Sequence, residues 1–274
     1  KEGKIKPYKY IIIDEYQDTS LTKYNLIKTI KNKTHAKLFC VGDDFQSIYR
    51  FTGCNLNIFL NFKKYYKNSR IMRIENTYRN CKDLIKVSGN FIMKNNHQMR
   101  KKLKSSKKLK KPIKIIYYKS IKDSFEKLIL DIYSENNNGI MILGRNNNDI
   151  YRYLNNNFKL ENQSIIYLKN ENIKIRYLTV HKSKGLEEEN VIVINLENKI
   201  NGFPSKIESN EILKYVLNEK DSYPYEEERR LFYVALTRTK NNVYLFVNKK
   251  NESIFVKEIV NNYKSCIQIF KNYL

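Results

Sequence analysis

An α/β fold with parallel sheets is what the 274 residues predict, and three observations predict it. Apolar runs of strand length recur at 11–13, 36–41, 70–74, 113–118, 140–143, 176–180, 191–194 and 243–247. Between most of them lie stretches with helical spacing, at 20–31, 57–66, 82–96, 121–134, 149–155 and 226–239, the alternation of a parallel layer. Polar clusters follow directly after several runs, at the sheet edge where open α/β folds bind ligands.

The first run, Ile11, Ile12 and Ile13, reads as a strand buried on both faces. Asp14 and Glu15 stand where it leaves the sheet. One carboxylate there can hold a Mg²⁺ that bridges phosphates, and its neighbour can orient or deprotonate an attacking water. Ser20 suits the N-cap of the helix that follows. The second run ends in Gly42-Asp43-Asp44 and an aromatic-rich stretch containing Gln46, Tyr49 and Phe51. A new unit opens near residue 69, with Tyr78 and Arg79 after its first strand. The basic segment 100–111 reads as a solvated connector. After a helix at 149–155 the Asn-rich stretch reads as loop. The strand at 176–180 enters His181-Lys182-Ser183-Lys184-Gly185-Leu186-Glu187, a variable insertion covers 195–225, and a terminal helix follows the strand at 243–247.

The formal charge of +24 points to a polyanionic partner, although a sequence rich in Lys, Asn, Ile and Tyr also carries the mark of A/T-rich codons. Four dispersed cysteines without CxxC spacing read as reduced thiols of an intracellular protein. Three scattered histidines form no metal motif. No run of 18 apolar residues exists, which excludes a membrane-spanning helix on length.

Carboxylates, an amide, an aromatic-arginine pair, a glutamate and a late arginine are the parts needed by a nucleotide held between two lobes. Arginine suits the developing phosphoryl charge because its fork is rigid and permanently charged. In order and wording these segments resemble the UvrD/Rep-type superfamily 1 DNA helicases, the helicase IV branch above all. IIIDEYQD resembles the Walker B segment, VGDDFQSIYRFTG the third motif, ENTYRN the fourth, LTVHKSKGLE the fifth and EEERRLFYVALTRTK the sixth. The resemblance implies two RecA-like lobes, residues 1–67 being the C-terminal part of the first and 68–274 the second. It also implies an ATP-dependent, 3′ to 5′ motor on single-stranded or partly duplex DNA, at work in the bacterial cytoplasm or nucleoid beside repair or replication proteins.

On that resemblance Asp14 ligates Mg²⁺, Glu15 acts on water with Gln17 nearby, and Gln46 couples the γ-phosphate to DNA. Tyr78 stacks near the adenine, Arg79 and Arg238 reach the γ-phosphate, and Gly185 and Glu187 belong to the nucleotide site, Glu187 accepting from the ribose. Tyr49 and Phe51 are platforms for bases, with Thr179 and His181 beside the strand. Each residue alone has a plainer role: Tyr49 and Phe51 as packing aromatics, His181 as a loop histidine, Arg238 as a helix-end charge.

Three departures qualify the match. No GxxxxGK[ST] phosphate loop occurs; in the family it precedes the Walker B segment, so its absence is consistent with a position upstream of Lys1, which the sequence preceding Lys1 would decide, and these residues alone are expected to hydrolyse ATP poorly. The large helical subdomain inserted between the fourth and fifth motifs of bigger relatives is reduced or absent. Phe51-Thr52 stands where many relatives have Trp-Arg. A non-catalytic DNA-binding scaffold and a generic basic single-strand binder are the competing readings.

Overall fold

A computed structural model describes residues 6–136, 139–207 and 223–273; residues 208–222 of the expected insertion lie outside the described residues. The early part is a two-stranded parallel sheet of β1 (Tyr10–Ile13) and β2 (Lys37–Cys40), crossed over by α1 (Leu21–Thr34). Ser20 caps α1, its hydroxyl accepting the Lys23 N–H at 3.2 Å. Two short helices, α2 (Leu56–Leu60) and α3 (Phe62–Tyr65), replace the single helix expected at 57–66. The chain breaks at Asn61, which leaves the helical region at ψ 35.

The expectation that the first strand is buried on both faces is wrong. Ile13, Leu38 and Cys40 pack against Tyr16, Tyr24, Ile58 and Tyr66, whereas Tyr10, Ile12 and Phe39 are 66%, 74% and 55% exposed. Helices cover one face only among the described residues, so alternate side chains meet solvent.

The rest forms around an eight-stranded sheet. Its strands are β3 (Ile113–Tyr118), β4 (Ile140–Gly144), β5 (Phe158–Glu161), β6 (Ser164–Tyr167), β7 (Ile175–Thr179), β8 (Glu188–Val193), β9 (Thr239–Val247) and β10 (Ile267–Tyr273), in spatial order β10-β3-β9-β8-β4-β7-β6-β5. All pairs are parallel except β7–β6 and β6–β5. Alternation sorts the side chains. Val191, Val193, Val243, Leu245 and Val247 meet α4 (Lys82–Ile92), α6 (Glu226–Thr237) and α7 (Ile254–Asn262) on one face. Ile140, Ile142, Ile192, Tyr244 and Phe246 meet α5 (Ile121–Asn136) on the other. Each fully buried aliphatic side chain contributes about 1.5–3 kcal/mol, so these two layers dominate the stability.

Helix α6 is buried almost throughout, and its charges are paired: Arg229 grips Glu258 through two bonds of 3.0 and 2.9 Å, and Arg230 meets Glu226 at 3.1 Å. The third-motif turn crosses from the small sheet into this core. Phe45 and Ile48 lie in the same cluster as α4 and α6, with the Phe45 ring edge-on to Tyr233 at 5.3 Å.

Other expectations need correction. Residues 70–74 form no strand; Met72 and Ile74 are 82% and 84% exposed, with no ladder beside them. The helix expected at 149–155 is a 3₁₀ turn over Asp149–Arg152. The Asn-rich loop contains the β5–β6 hairpin, with Asn162 at φ 55 in its turn, a conformation asparagine tolerates. Beyond the terminal helix β10 adds an edge strand. The basic segment is not a free connector: its backbone bonds to Glu75, Thr77 and Lys82. Among the described residues no helix is long and apolar enough to cross a membrane.

Candidate functional site

Strand β1 ends at a strained corner. Glu15 adopts φ 50 and ψ 40, and its N–H donates to Asp14 Oδ1 at 2.8 Å. A left-handed glutamate costs about 1–2 kcal/mol, offset where Tyr16 N–H bonds Val41 O and Val41 N–H bonds Ile13 O, each at 2.8 Å. The corner turns both carboxylates out of the sheet, where they are exposed. Beneath them Gln17 is fully buried, its amide nitrogen donating to Glu15 Oε2 at 2.5 Å and its Oε1 accepting the Asp43 N–H at 2.9 Å. Gly42 permits this approach, since a Cβ there would lie 2.5 Å from Gln17 Oε1.

The same network runs on to the late half of the chain. Gln46 donates to Asp43 Oδ2 at 2.8 Å, and its Oε1 accepts from Arg238 Nη2 at 3.0 Å. Arg238 follows α6 and is 1% exposed, with Nε on Val234 O and Nη1 on Leu186 O. Burial, and then the neighbouring Arg79 charge, pull its pKa down to about 10, still above neutrality. A second bridge is Lys184. Its ammonium donates to Asp18 Oδ2 at 2.5 Å and Gln46 O at 2.9 Å and lies 3.2 Å from Glu15 Oε2. Burial raises the Asp18 pKa against the pull of Lys184. Arg79 and Glu187 bind each other, Nε to Oε2 at 2.5 Å, and this contact first, then Arg79's charge, lowers the Glu187 pKa despite burial. Lys240 also approaches Glu187, at 3.4 Å.

An aromatic cluster sits beside this network. The Tyr49 hydroxyl donates to His181 O at 2.8 Å, the Phe51 ring stands edge-on to His181 at 5.6 Å, and Lys184 lies over Tyr49 at 5.1 Å. Burial, and then Arg145, hold His181 down to about 4, so the ring is neutral at pH 7. Phe51 is 57% exposed and offers an open ring. Thr179 is buried, its hydroxyl accepting the Lys182 N–H at 3.3 Å, which makes it the stop of β7 and the start of the turn that carries His181. Gly185 at φ 81 turns the chain from Lys184 toward Glu187.

The structure thus joins Glu15, Gln17, Gln46 and Arg238 in one network, pairs Arg79 with Glu187, and gathers Tyr49, Phe51 and His181. Asp14 stands open at the strand end, and Tyr78 stands apart at 85% exposure. Lys184, Asp18 and Asp43 were missed as site residues. Lys184 lies inside HKSKGLE and Asp43 inside VGDDFQ, but sequence spacing does not reveal which lysine or aspartate turns inward.

A hard divalent cation fits Asp14. One oxygen accepts the Glu15 N–H while the exposed strand end leaves carboxylate lone pairs open, and Mg²⁺ is often bound through one or two carboxylates plus phosphates and water. Among the described residues no cluster of three His, Cys, Asp or Glu could cage a metal by itself. Paired guanidinium and ammonium groups opposite the carboxylates fit a polyphosphate.

Residues 4–67 match the UvrD/REP helicase N-terminal domain, and residues 152–250 match the UvrD-like helicase C-terminal domain. DNA helicase IV of Escherichia coli (strain K12) is 32% identical over 260 residues, 94% of this chain and 36% of that protein. ATP-dependent DNA helicase Rep of Buchnera aphidicola subsp. Acyrthosiphon pisum is 29% identical over 98% of this chain and 39% of its own length. ATP-dependent DNA helicase PcrA of Bacillus subtilis (strain 168) is 34% identical over 42% of this chain and 15% of its own. The chain therefore spans well under half the length of these relatives. With both domain matches in order along its length, the chain belongs to the UvrD/Rep-type helicase family.

Proposed function

We propose that this chain forms part of an ATP-dependent DNA helicase, with the nucleotide cleft between the carboxylate corner of β1 and the basic residues of the late half. The observation that carries this reading is the cross-cleft bond from Gln46 Oε1 to Arg238 Nη2, 3.0 Å, in a network that begins at Glu15. Asp14 would hold Mg²⁺, which when bound would neutralise phosphate charge. Glu15 orients or deprotonates the attacking water, held in place by Gln17. Arg238 and Arg79 bind the terminal phosphate oxygens, Glu187 then being released to the ribose hydroxyl. Tyr78, Gly185 and Glu187 shape the nucleoside end.

Gln46 touches both the carboxylate network and Arg238, and three residues later, at Tyr49, the chain enters the aromatic cluster. It is positioned to relay phosphate occupancy to Tyr49, Phe51 and His181, where bases of a single strand stack; stacking is worth about 1–3 kcal/mol per base whatever the sequence. Thr179 supports this edge by fixing the turn. The direction proposed is 3′ to 5′, on single-stranded or partly duplex DNA in the bacterial cytoplasm, with repair or replication proteins as partners.

Glu15→Gln in the native full-length protein tests the reading. Nucleotide binding is expected to persist, while DNA-stimulated ATP hydrolysis falls at least about 10²-fold, the typical scale of a general base. Undiminished turnover would refute it.

A further inference from the structure

Residues 100–111 contain eight lysines and arginines in twelve positions and no acid. Exposure alternates along them: residues 101, 103, 105, 107 and 109 are partly buried, while Lys102, Lys104, Ser106, Lys108 and Lys110 are exposed. That is the side-chain geometry of extended backbone.

The inward residues fasten the segment. Lys101 lies over the Phe45 ring at 4.1 Å and pairs with Asp43 and Asp44. The Lys104 N–H donates to Glu75 O at 2.7 Å, and its carbonyl accepts the Thr77 N–H at 2.9 Å. The Lys107 ammonium donates to Lys240 O at 2.7 Å and Asn241 Oδ1 at 3.2 Å, and Leu109 packs on the main core. The outward residues are therefore held in a row, about 6.5–7 Å apart where the backbone is extended, and the row bends at Ser106 and Lys110. Lys104 makes one exposed ion pair, 3.5 Å from Glu75; Lys102, Lys108 and Lys110 make none among the described residues. Lys82, Lys104 and Lys108, with Ser105 and Ser106, line a concavity of about 320 Å³.

We propose that this lysine row is a second nucleic-acid contact, a track for the phosphates of a single DNA strand, distinct from the aromatic cluster at Tyr49 and Phe51. The identity of the polyanion rests on the helicase reading. The lysines at 102, 104, 108 and 110 set single cations along the segment, with Ser106 and a bend in the chain between the two pairs, and a flexible chain with one charge per nucleotide can follow that spacing. A duplex is too stiff to follow the bend at Ser106, and a lipid surface engages a broad face. The hydroxyl of Ser106 and the concavity give the track hydrogen-bonding capacity besides charge.

The test is binding of a fluorescein-labelled oligo(dT) strand to the native protein across a salt series. Three proteins are compared: wild type, the track variant Lys102→Gln/Lys104→Gln/Lys108→Gln/Lys110→Gln, and a charge-matched control with glutamine at exposed Lys33, Lys63, Lys64 and Lys67. Circular dichroism checks that each is folded. Single-strand affinity falls with a slope of about 0.7 per neutralised phosphate, so the track variant should flatten the log–log plot by about 3 and bind about tenfold or more weakly at low salt. The control should keep the wild-type slope. An unchanged slope in the track variant overturns the proposal. So does equal flattening in the control, or lost binding to vesicles of anionic phospholipid with oligo(dT) binding intact. If the slopes separate as expected while wild type never hydrolyses ATP, the track stands and the motor reading fails.

Discussion

On one side of the site Asp14 and Glu15 stand at the end of a two-stranded sheet whose second face is uncovered among the described residues, whereas on the other Arg238 is sunk to 1% exposure just before β9 of the eight-stranded sheet. The early groups are held by hydrogen bonds at a left-handed corner, from Glu15 through Gln17 to Asp43. The late group is held by packing and by two backbone carbonyls. The difference assigns the tasks. On the proposed function, the carboxylate that would meet water and metal is left open, and the guanidinium that would be aimed at phosphate is kept from moving.

The largest effect expected from breaking this comparison is on turnover. Arg238→Ala in the native protein should lower ATP hydrolysis about 10³-fold or more, as for other arginines that stabilise phosphoryl transfer. Lysine should not restore it, because an ammonium cannot reproduce the fork that reaches Gln46, Val234 and Leu186 together. A loss under about threefold would leave Arg238 a structural residue only.

Next in size is Lys184→Met, which keeps the length of the stem and strips its charge from Asp18 and Glu15. With Lys184 6% and Asp18 16% exposed at the side chain, the abandoned carboxylate should cost about 2–3 kcal/mol, read as a lower urea midpoint. An unaltered midpoint would mean that Lys184 does not fasten the walls.

The smallest is a pH effect. His181 is held down to about 4 by burial in the fold, against an ordinary value of 6.5. Between those values the unfolded chain binds a proton that the folded chain refuses. The stability from neutral His181 is complete above 6.5 and drains as pH falls toward 4. His181→Asn should therefore lose less stability than wild type on going from about pH 7 to about pH 5. Parallel pH curves for the two proteins would place the imidazole in water.

What the sequence made legible is what short-range pattern controls. The run at 113–118 became β3 with the same bounds, and the carboxylates, Gln46 and Arg238 stand where strand ends and the α6 terminus bring them together. The failures share a cause, since strand pairing depends on neighbours distant in sequence. Residues 70–74 carry strand-like apolar residues but find no partner, while the polar pattern at 158–167 hides a hairpin that has one. In the segment 100–111 the period of two is written in which lysines turn inward, and every lysine looks alike in sequence. The pairing of Arg79 with Glu187, 108 residues apart, was beyond any local signal, although both residues were singled out separately.

The bond between Gln46 and Arg238 can be measured by a double-mutant cycle on DNA-stimulated ATP turnover, with Gln46→Ala, Arg238→Ala and the pair in the native protein. Two residues joined by a charged hydrogen bond and acting on one phosphate should be coupled by about 1.5–3 kcal/mol, so the double variant should be scarcely worse than Arg238→Ala alone. Strictly additive losses would mean that the two walls do not work through this bond.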